Sequence, residues 1–216
     1  MKHPALRCTA AALLLSGVCS TYAADPYWYT GLGVGYSRVQ FYPADFKAGV
    51  AGVDESKKEF DAGFKGFLGY QINRNWAAEV SYVSVGKFQY KYTDTTTNVT
   101  QLDDYKVTGW GFSALPTVPL TNNFSFYGRL GAFFSQARIT FYNVGFVVGN
   151  NGVGVLGDQT SLLSGFGVQY FFGGEDGFRI EYENFGRVGS ACTPSVASCS
   201  GRANAKMISA SGIFKF

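Results

Sequence analysis

Lys206-Met207-Ile208-Ser209-Ala210-Ser211-Gly212-Ile213-Phe214-Lys215-Phe216 closes the chain, and its alternation decides the fold. Ile208, Ala210, Gly212, Phe214 and Phe216 share one parity; Ser209, Ser211 and Lys215 take the other, with Met207 and Ile213 as apolar exceptions on the polar side. Side chains on a strand alternate between faces, so this is a strand with one apolar and one mainly polar face.

The same period recurs upstream. Residues 27–41 set Trp28, Leu32, Val34 and Tyr36 against Tyr29, Gly31, Gly33, Gly35 and Ser37. Residues 60–72 set Phe60, Ala62, Phe64, Leu68, Tyr70 and Ile72 against Asp61, Lys65 and Gln71. From Trp76, the residues Trp76, Ala78, Val80 and Tyr82 alternate with Glu79 and Ser81. A fourth strand over 105–118 turns Trp110, Phe112 and Ala114 outward, and Pro116 and Pro119 mark its end because proline cannot donate to a ladder. Residues 124–141, 160–172 and 178–188 complete the set of eight.

Connections are alternately short and long. Asn73-Arg74-Asn75, Thr121-Asn122-Asn123 and Gly173-Gly174-Glu175-Asp176-Gly177 are turns; 42–59, 93–104, 143–159 and 189–204 are long, and a hairpin hidden in the third of these would raise the strand count. The apolar parity is broadly aromatic. Aromatics also gather at the strand ends, with Tyr27, Trp28, Tyr29, Trp76, Phe124, Phe172, Phe178 and Phe216 at the short-turn end and Phe41, Phe88, Tyr90, Tyr92 and Tyr142 at the other. Two girdles around an apolar band fit a membrane better than the interior of a soluble sandwich. The expected class is all-β: an eight-stranded antiparallel transmembrane β-barrel of up-and-down topology, with both termini and the short turns in the periplasm.

The first 23 residues read as a leader. Lys2, His3 and Arg7 make a positive start, residues 10–18 an apolar stretch of secretory length, and Thr21-Tyr22-Ala23 a small-residue cleavage site. Acylation on Cys19 is the rival reading, disfavoured by Val18 before it. Residues 24–216 then form the barrel domain. Without Lys2 and Arg7 the chain holds 16 basic residues against 15 acidic ones, a balance that argues for no nucleic-acid partner. Cys192 and Cys199 remain in the fourth long connection and, in an oxidising compartment, are expected to form a disulfide. Zinc would need further histidine or cysteine ligands, and none is at hand.

Tyr29-Thr30-Gly31-Leu32-Gly33-Val34-Gly35-Tyr36, Trp76-Ala77-Ala78-Glu79-Val80-Ser81-Tyr82, Phe126-Tyr127-Gly128-Arg129-Leu130-Gly131-Ala132 and the terminal Phe216 together resemble the outer membrane protein A-like transmembrane domain and its small eight-stranded relatives. The resemblance covers essentially all of 24–216. It implies a bacterial outer-membrane location among membrane lipids and lipopolysaccharide, and Phe214 and Phe216 as the signal read by the barrel assembly machinery. It also implies a non-enzymatic structural role, or adhesion through surface loops that bind host or surface ligands. No residues follow the eighth strand here, so the peptidoglycan-binding domain of longer members is expected to be absent.

The only histidine, His3, lies in the leader. Lipid-modifying barrel enzymes and serine-type hydrolases need a positioned imidazole, so catalysis is not expected, and no cofactor or metal site is read. Gly31, Gly33 and Gly35 alternate within one strand, which relieves crowding and does not match a phosphate loop. Lys65, Glu79, Arg129, Arg179, Glu181 and Glu183 all have inward parity and both signs, so they can pair in a lumen too narrow for a bulk channel. A plugged structural barrel is the main reading; a narrow pore for small solutes is the alternative. Arg38, Lys106, Arg138 and Lys206 have outward parity near the long-loop end, either snorkelling to the interface or meeting lipopolysaccharide phosphates.

Overall fold

Strands with one apolar face can pack two sheets together or close one sheet on itself. In this chain the three tryptophans and a belt of other apolar side chains point away from the interior, and the wall closes. The structure, a computed structural model, describes residues 26–42, 53–94, 100–144, 154–190 and 200–216. Its strands are β1 (Tyr27–Phe41), β2 (Val53–Lys58), β3 (Phe60–Asn73), β4 (Trp76–Asp94), β5 (Thr100–Pro119), β6 (Phe124–Val144), β7 (Gly154–Phe172), β8 (Asp176–Val188) and β9 (Ala203–Lys215). Pairing is antiparallel throughout; β1 bonds to β3 and β9, and the β4–β5 ladder closes the ring. β2 adds no wall strand. It pairs only with the top of β4, from Lys58↔Gln89 to Val53↔Asp94, and so prolongs β3 past a break at Glu59. The barrel therefore has eight wall strands, and no open edge is left for lipid to satisfy.

Outward residues form a continuous apolar belt: Leu32, Val34, Phe64, Leu68, Phe112, Leu130, Leu162, Phe166 and Ile208 are all at least 40% exposed. Water would not tolerate such a surface on a monomer of this size; a hydrocarbon layer does. Below it sit clustered rings, with Trp28 4.8 Å from Tyr70 and Phe172 5.7 Å from Phe178.

Several strands outrun the sequence reading. β5 begins at Thr100 and continues through Pro116 to Pro119. Pro116 does not end the strand because its missing donor falls where the ladder to β6 skips from Ala114↔Leu130 to Thr117↔Tyr127. β6 and β7 extend the third connection from both sides as one longer hairpin, to Thr140↔Gly154. The distal girdle also needs correction. Phe41, Phe88 and Tyr90 are buried inside the barrel, as is Tyr29 at the other end. Phe41 and Tyr29 share the inward parity of Ser37, and position at a strand end does not override parity. Phe88 and Tyr90 are turned in by a β-bulge between Ser84 and Gly86, where Gly86 takes φ 121° and one extra residue reverses all facings above it. β8 carries a matching bulge between Asn184 and Gly186. The side chains of Tyr92 and Tyr142 lie outside the described residues.

Candidate functional site

The interior is layered. At the short-turn end Tyr29, Phe67, Ala77, Leu115, Tyr127, Phe171 and Ile213 form one apolar cluster. At the long-loop end a larger cluster runs from Val39 and Phe41 through Phe88, Tyr90, Tyr105 and Phe133 to Phe185 and Met207. Met207 and Ile213, out of pattern as polar-face residues, are thus core side chains of the two clusters. Toward the long-loop end the lumen is mainly apolar, with Ser37, Asp103, Ser135 and Ser200 among its buried polar side chains.

Between the clusters lie Lys65, Glu79, Arg129, Arg179, Glu181 and Glu183, all 4% exposed or less. Lys65 Nζ donates to Glu181 Oε1 at 2.7 Å and Glu183 Oε1 at 2.8 Å. Arg129 donates to Glu79 Oε1 at 2.6 Å and Glu181 Oε2 at 3.0 Å, and its Nε lies 3.2 Å from Glu183. Arg179 Nη1 donates to Glu79 Oε2 at 2.7 Å. Three cations meet three carboxylates, so the layer is neutral. β3 supplies Lys65, β4 Glu79, β6 Arg129 and β8 the other three, so the pairs cross the lumen and tie distant strands.

Neutral side chains complete the layer. Tyr127 donates to Glu181 at 2.9 Å, Tyr29 to Glu79 at 3.2 Å, and Arg129 and Arg179 donate to Ser113 and Gln169 at 2.8 and 3.0 Å. The Arg179 guanidinium also lies 4.7 Å from the Phe67 ring centroid and 4.8 Å from that of Tyr127. The sequence reading missed Tyr127 and Gln169, although both share the inward parity of their strands. Each glutamate is held by a cation, and among the described residues no group of His, Cys, Asp or Glu is arranged to hold a metal ion.

Under the lower cluster a vestibule of about 460 Å³ opens at the short-turn end, lined by residues including Tyr27, Gln71, Arg74, Thr117, Gln169 and Lys215. Lys215 Nζ sits 4.0 Å from the Phe171 ring centroid. Phe214 and Phe216 face outward, 52% and 72% exposed, and the Phe216 N–H donates to the Trp28 carbonyl at 3.0 Å.

On the outside, Arg38 pairs directly with Lys206, and Lys106 with Arg138. Arg38 is not without an acid: its Nη2 donates to Glu59 at 3.4 Å, because the β2–β3 break carries Glu59 up beside β1, a position the sequence assigned to a loop. Lys87 joins Lys106 on the outer face because the β4 bulge turns it out; a glycine inside an alternating strand was the available signal. Cys192, Cys199 and the leader lie outside the described residues.

The model of the OmpA-like transmembrane domain matches residues 23–216. Outer membrane protein A of Serratia marcescens is 26% identical over 198 residues, covering 89% of this chain and 52% of that protein. The Salmonella typhi protein of the same name is 28% identical over 195 residues, 89% and 51%. The chain thus spans about half the length of these relatives. Neisserial surface protein A superposes with a TM-score of 0.53 at 15% identity, over 89% of this chain and 100% of that one. OprG from Pseudomonas aeruginosa gives 0.53 at 13%, over 90% and 97%. At such identities the likeness is one of fold. A closed eight-stranded wall, a lipid-facing apolar belt and a family match over nearly the whole chain lead to one conclusion: the chain belongs to the OmpA-like transmembrane domain family of the bacterial outer membrane.

Proposed function

We propose that this barrel is a non-enzymatic element of the outer membrane, its lumen plugged by its own side chains and its four long connections free to meet ligands at the cell surface. The layered interior carries the reading: a neutral lattice of six charges lies between two apolar clusters, and Tyr105 donates across the lumen toward the carbonyls of Val188 and Gly201 at 3.3 and 3.2 Å. Absence of histidine after His3 removes the usual acid–base group and supports a role without catalysis. Recognition then falls to the loops, where proteins on a common scaffold diverge. Phe214 and Phe216, outward at the end of β9, are the residues we assign to recognition by the assembly machinery.

The test is solute uptake. Liposomes carrying the purified barrel are expected to swell no faster than empty ones in small sugars, and planar bilayers to show no steady conductance. Robust, size-dependent uptake would replace this reading with that of a narrow pore. The vestibule favours the pore, because it brings solvent to Gln71 and Gln169 at the lower rim.

Cys192 and Cys199 we assign to a disulfide that restrains the fourth long connection. Closing so short a loop limits the loop more than it stabilises the barrel. Protein prepared without reductant is expected to show no reactive thiol after leader removal; stoichiometric labelling would refute the bond.

A further inference from the structure

Lys87 on β4, Lys106 on β5 and Arg138 on β6 stand in one row: Lys87 pairs with Lys106, and Lys106 with Arg138. All three side chains are outward and exposed. Like charges directly opposite on neighbouring strands destabilise a sheet. Among the described residues no hydrogen bond or ion pair joins these side chains to an acid. Asp61, of inward parity on β3, accepts the Lys87 backbone N–H at 2.6 Å and lies 3.8 Å from Lys58. On the outer face Gln89 donates to Asp104 at 2.9 Å and Gln136 to Asp158 at 3.3 Å. On the opposite side of the barrel, Arg38 has Glu59. On this arc three directly opposed cations have no bonded acid, whereas the opposite side sets Glu59 beside the directly opposed Arg38 and Lys206.

Its depth is also defined. Below the row comes an outward polar row, Ser84↔Thr108↔Gln136, and below that Tyr82 pairs with Trp110 and Trp110 with Phe134. The Tyr82 and Trp110 rings meet edge-on at 5.1 Å, and all three aromatics are at least 40% exposed. Aromatics of this kind mark the hydrocarbon–headgroup boundary. The cations stand one outward row above that boundary, at the depth of the headgroups. Two inter-strand steps span roughly 10 Å, room for two phosphate groups side by side.

We propose that Lys87, Lys106 and Arg138 bind the phosphates of a phosphorylated outer-leaflet glycolipid, and that the Gly86 bulge completes the site by turning Lys87 out. Bound phosphate relieves the repulsion of the row through charge-assisted hydrogen bonds, with Arg138 able to engage two oxygens at once. The site is independent of whether the lumen conducts.

Lipid A titrated into the purified barrel, in a zwitterionic micelle at low salt, tests this. The K87Q/K106Q/R138Q variant, shown to be folded by its heat-modifiable mobility, is expected to bind about fivefold more weakly per cation removed, on the order of a hundredfold in all. An R38Q/K206Q variant is expected to change binding far less, and Lys87→Arg to retain it. A folded triple variant with wild-type affinity overturns the site. Equal affinity for dephosphorylated lipid A does so too, and displacement by equimolar inorganic phosphate would overturn the lipid assignment in favour of a free anion. Should the triple variant not fold, Lys87→Gln alone carries the test, with about a fivefold loss expected and unchanged binding overturning it.

Discussion

Glu79→Ala is expected to be the most destabilising single change within the charged layer, lowering unfolding stability by roughly 3–5 kcal/mol. Glu79 bonds both Arg129 and Arg179, at 2.6 and 2.7 Å, and it is the only carboxylate paired with Arg179 among the described residues. Its loss leaves that guanidinium buried with Gln169 and the rings of Tyr29, Phe67 and Tyr127 but no directly bonded carboxylate. Breaking a buried pair from one side costs more than the pair itself contributes, because the surviving ion remains desolvated. The comparison is Arg179→Met, which leaves Glu79 still bonded to Arg129 and fills the ring-lined space with an apolar chain. It is expected to cost less than half as much. Urea unfolding in micelles, followed by tryptophan emission, reads both; equal midpoints for the two variants would show that Arg179 does not depend on Glu79. Glu181 is the internal control. Lys65 retains Glu183 and Arg129 retains Glu79 when Glu181 is removed, so its loss should fall below that of Glu79.

Gly86→Val is the second large effect. At φ 121° a β-branched residue is strained by on the order of 1–3 kcal/mol. An added Cβ would also meet the Ala62 carbonyl oxygen and an Asp61 carboxylate oxygen, each at 2.9 Å, and overpacking of that kind costs a further ~1–3 kcal/mol. Escape into regular pairing is worse. A one-residue slip would turn Lys87 into the apolar cluster and Phe88 and Tyr90 out of it. Deletion of Gly86 is expected to be milder, since removing the extra residue keeps Lys87 outward and Phe88 and Tyr90 inward while forfeiting only local bonds, such as the Lys87 N–H to Asp61 at 2.6 Å. Folding yield and the urea midpoint give the order: wild type, deletion, then valine. A deletion variant worse than the valine variant would mean that the bulge does more than set parity.

The strand-by-strand alternation was legible in the sequence because the wall separates two environments. Each side chain there faces either lipid or a crowded interior, and a period of 2 records which. So β1 spans the expected 27–41, and Lys65, Glu79, Arg129, Arg179, Glu181 and Glu183 were each assigned the inward face they occupy. The outer-membrane class followed from the same pattern joined to the aromatic ends.

Tertiary structure decided what parity does not encode. Which glutamate meets which cation depends on the stagger of the strands, which brings Lys65 of β3 to Glu181 and Glu183 of β8 across the lumen. Glu59 reaches Arg38 only because β2 continues β3 beyond a break. The bulges at Gly86 and Gly186 invert the facing of everything above them in their strands, at a cost of one residue each that leaves the alternation looking unbroken. By itself the sequence determined the wall, because each residue chooses between lipid and interior locally. The contents of the barrel and the Lys87–Lys106–Arg138 row were fixed only by register, a relation between strands that no single strand carries.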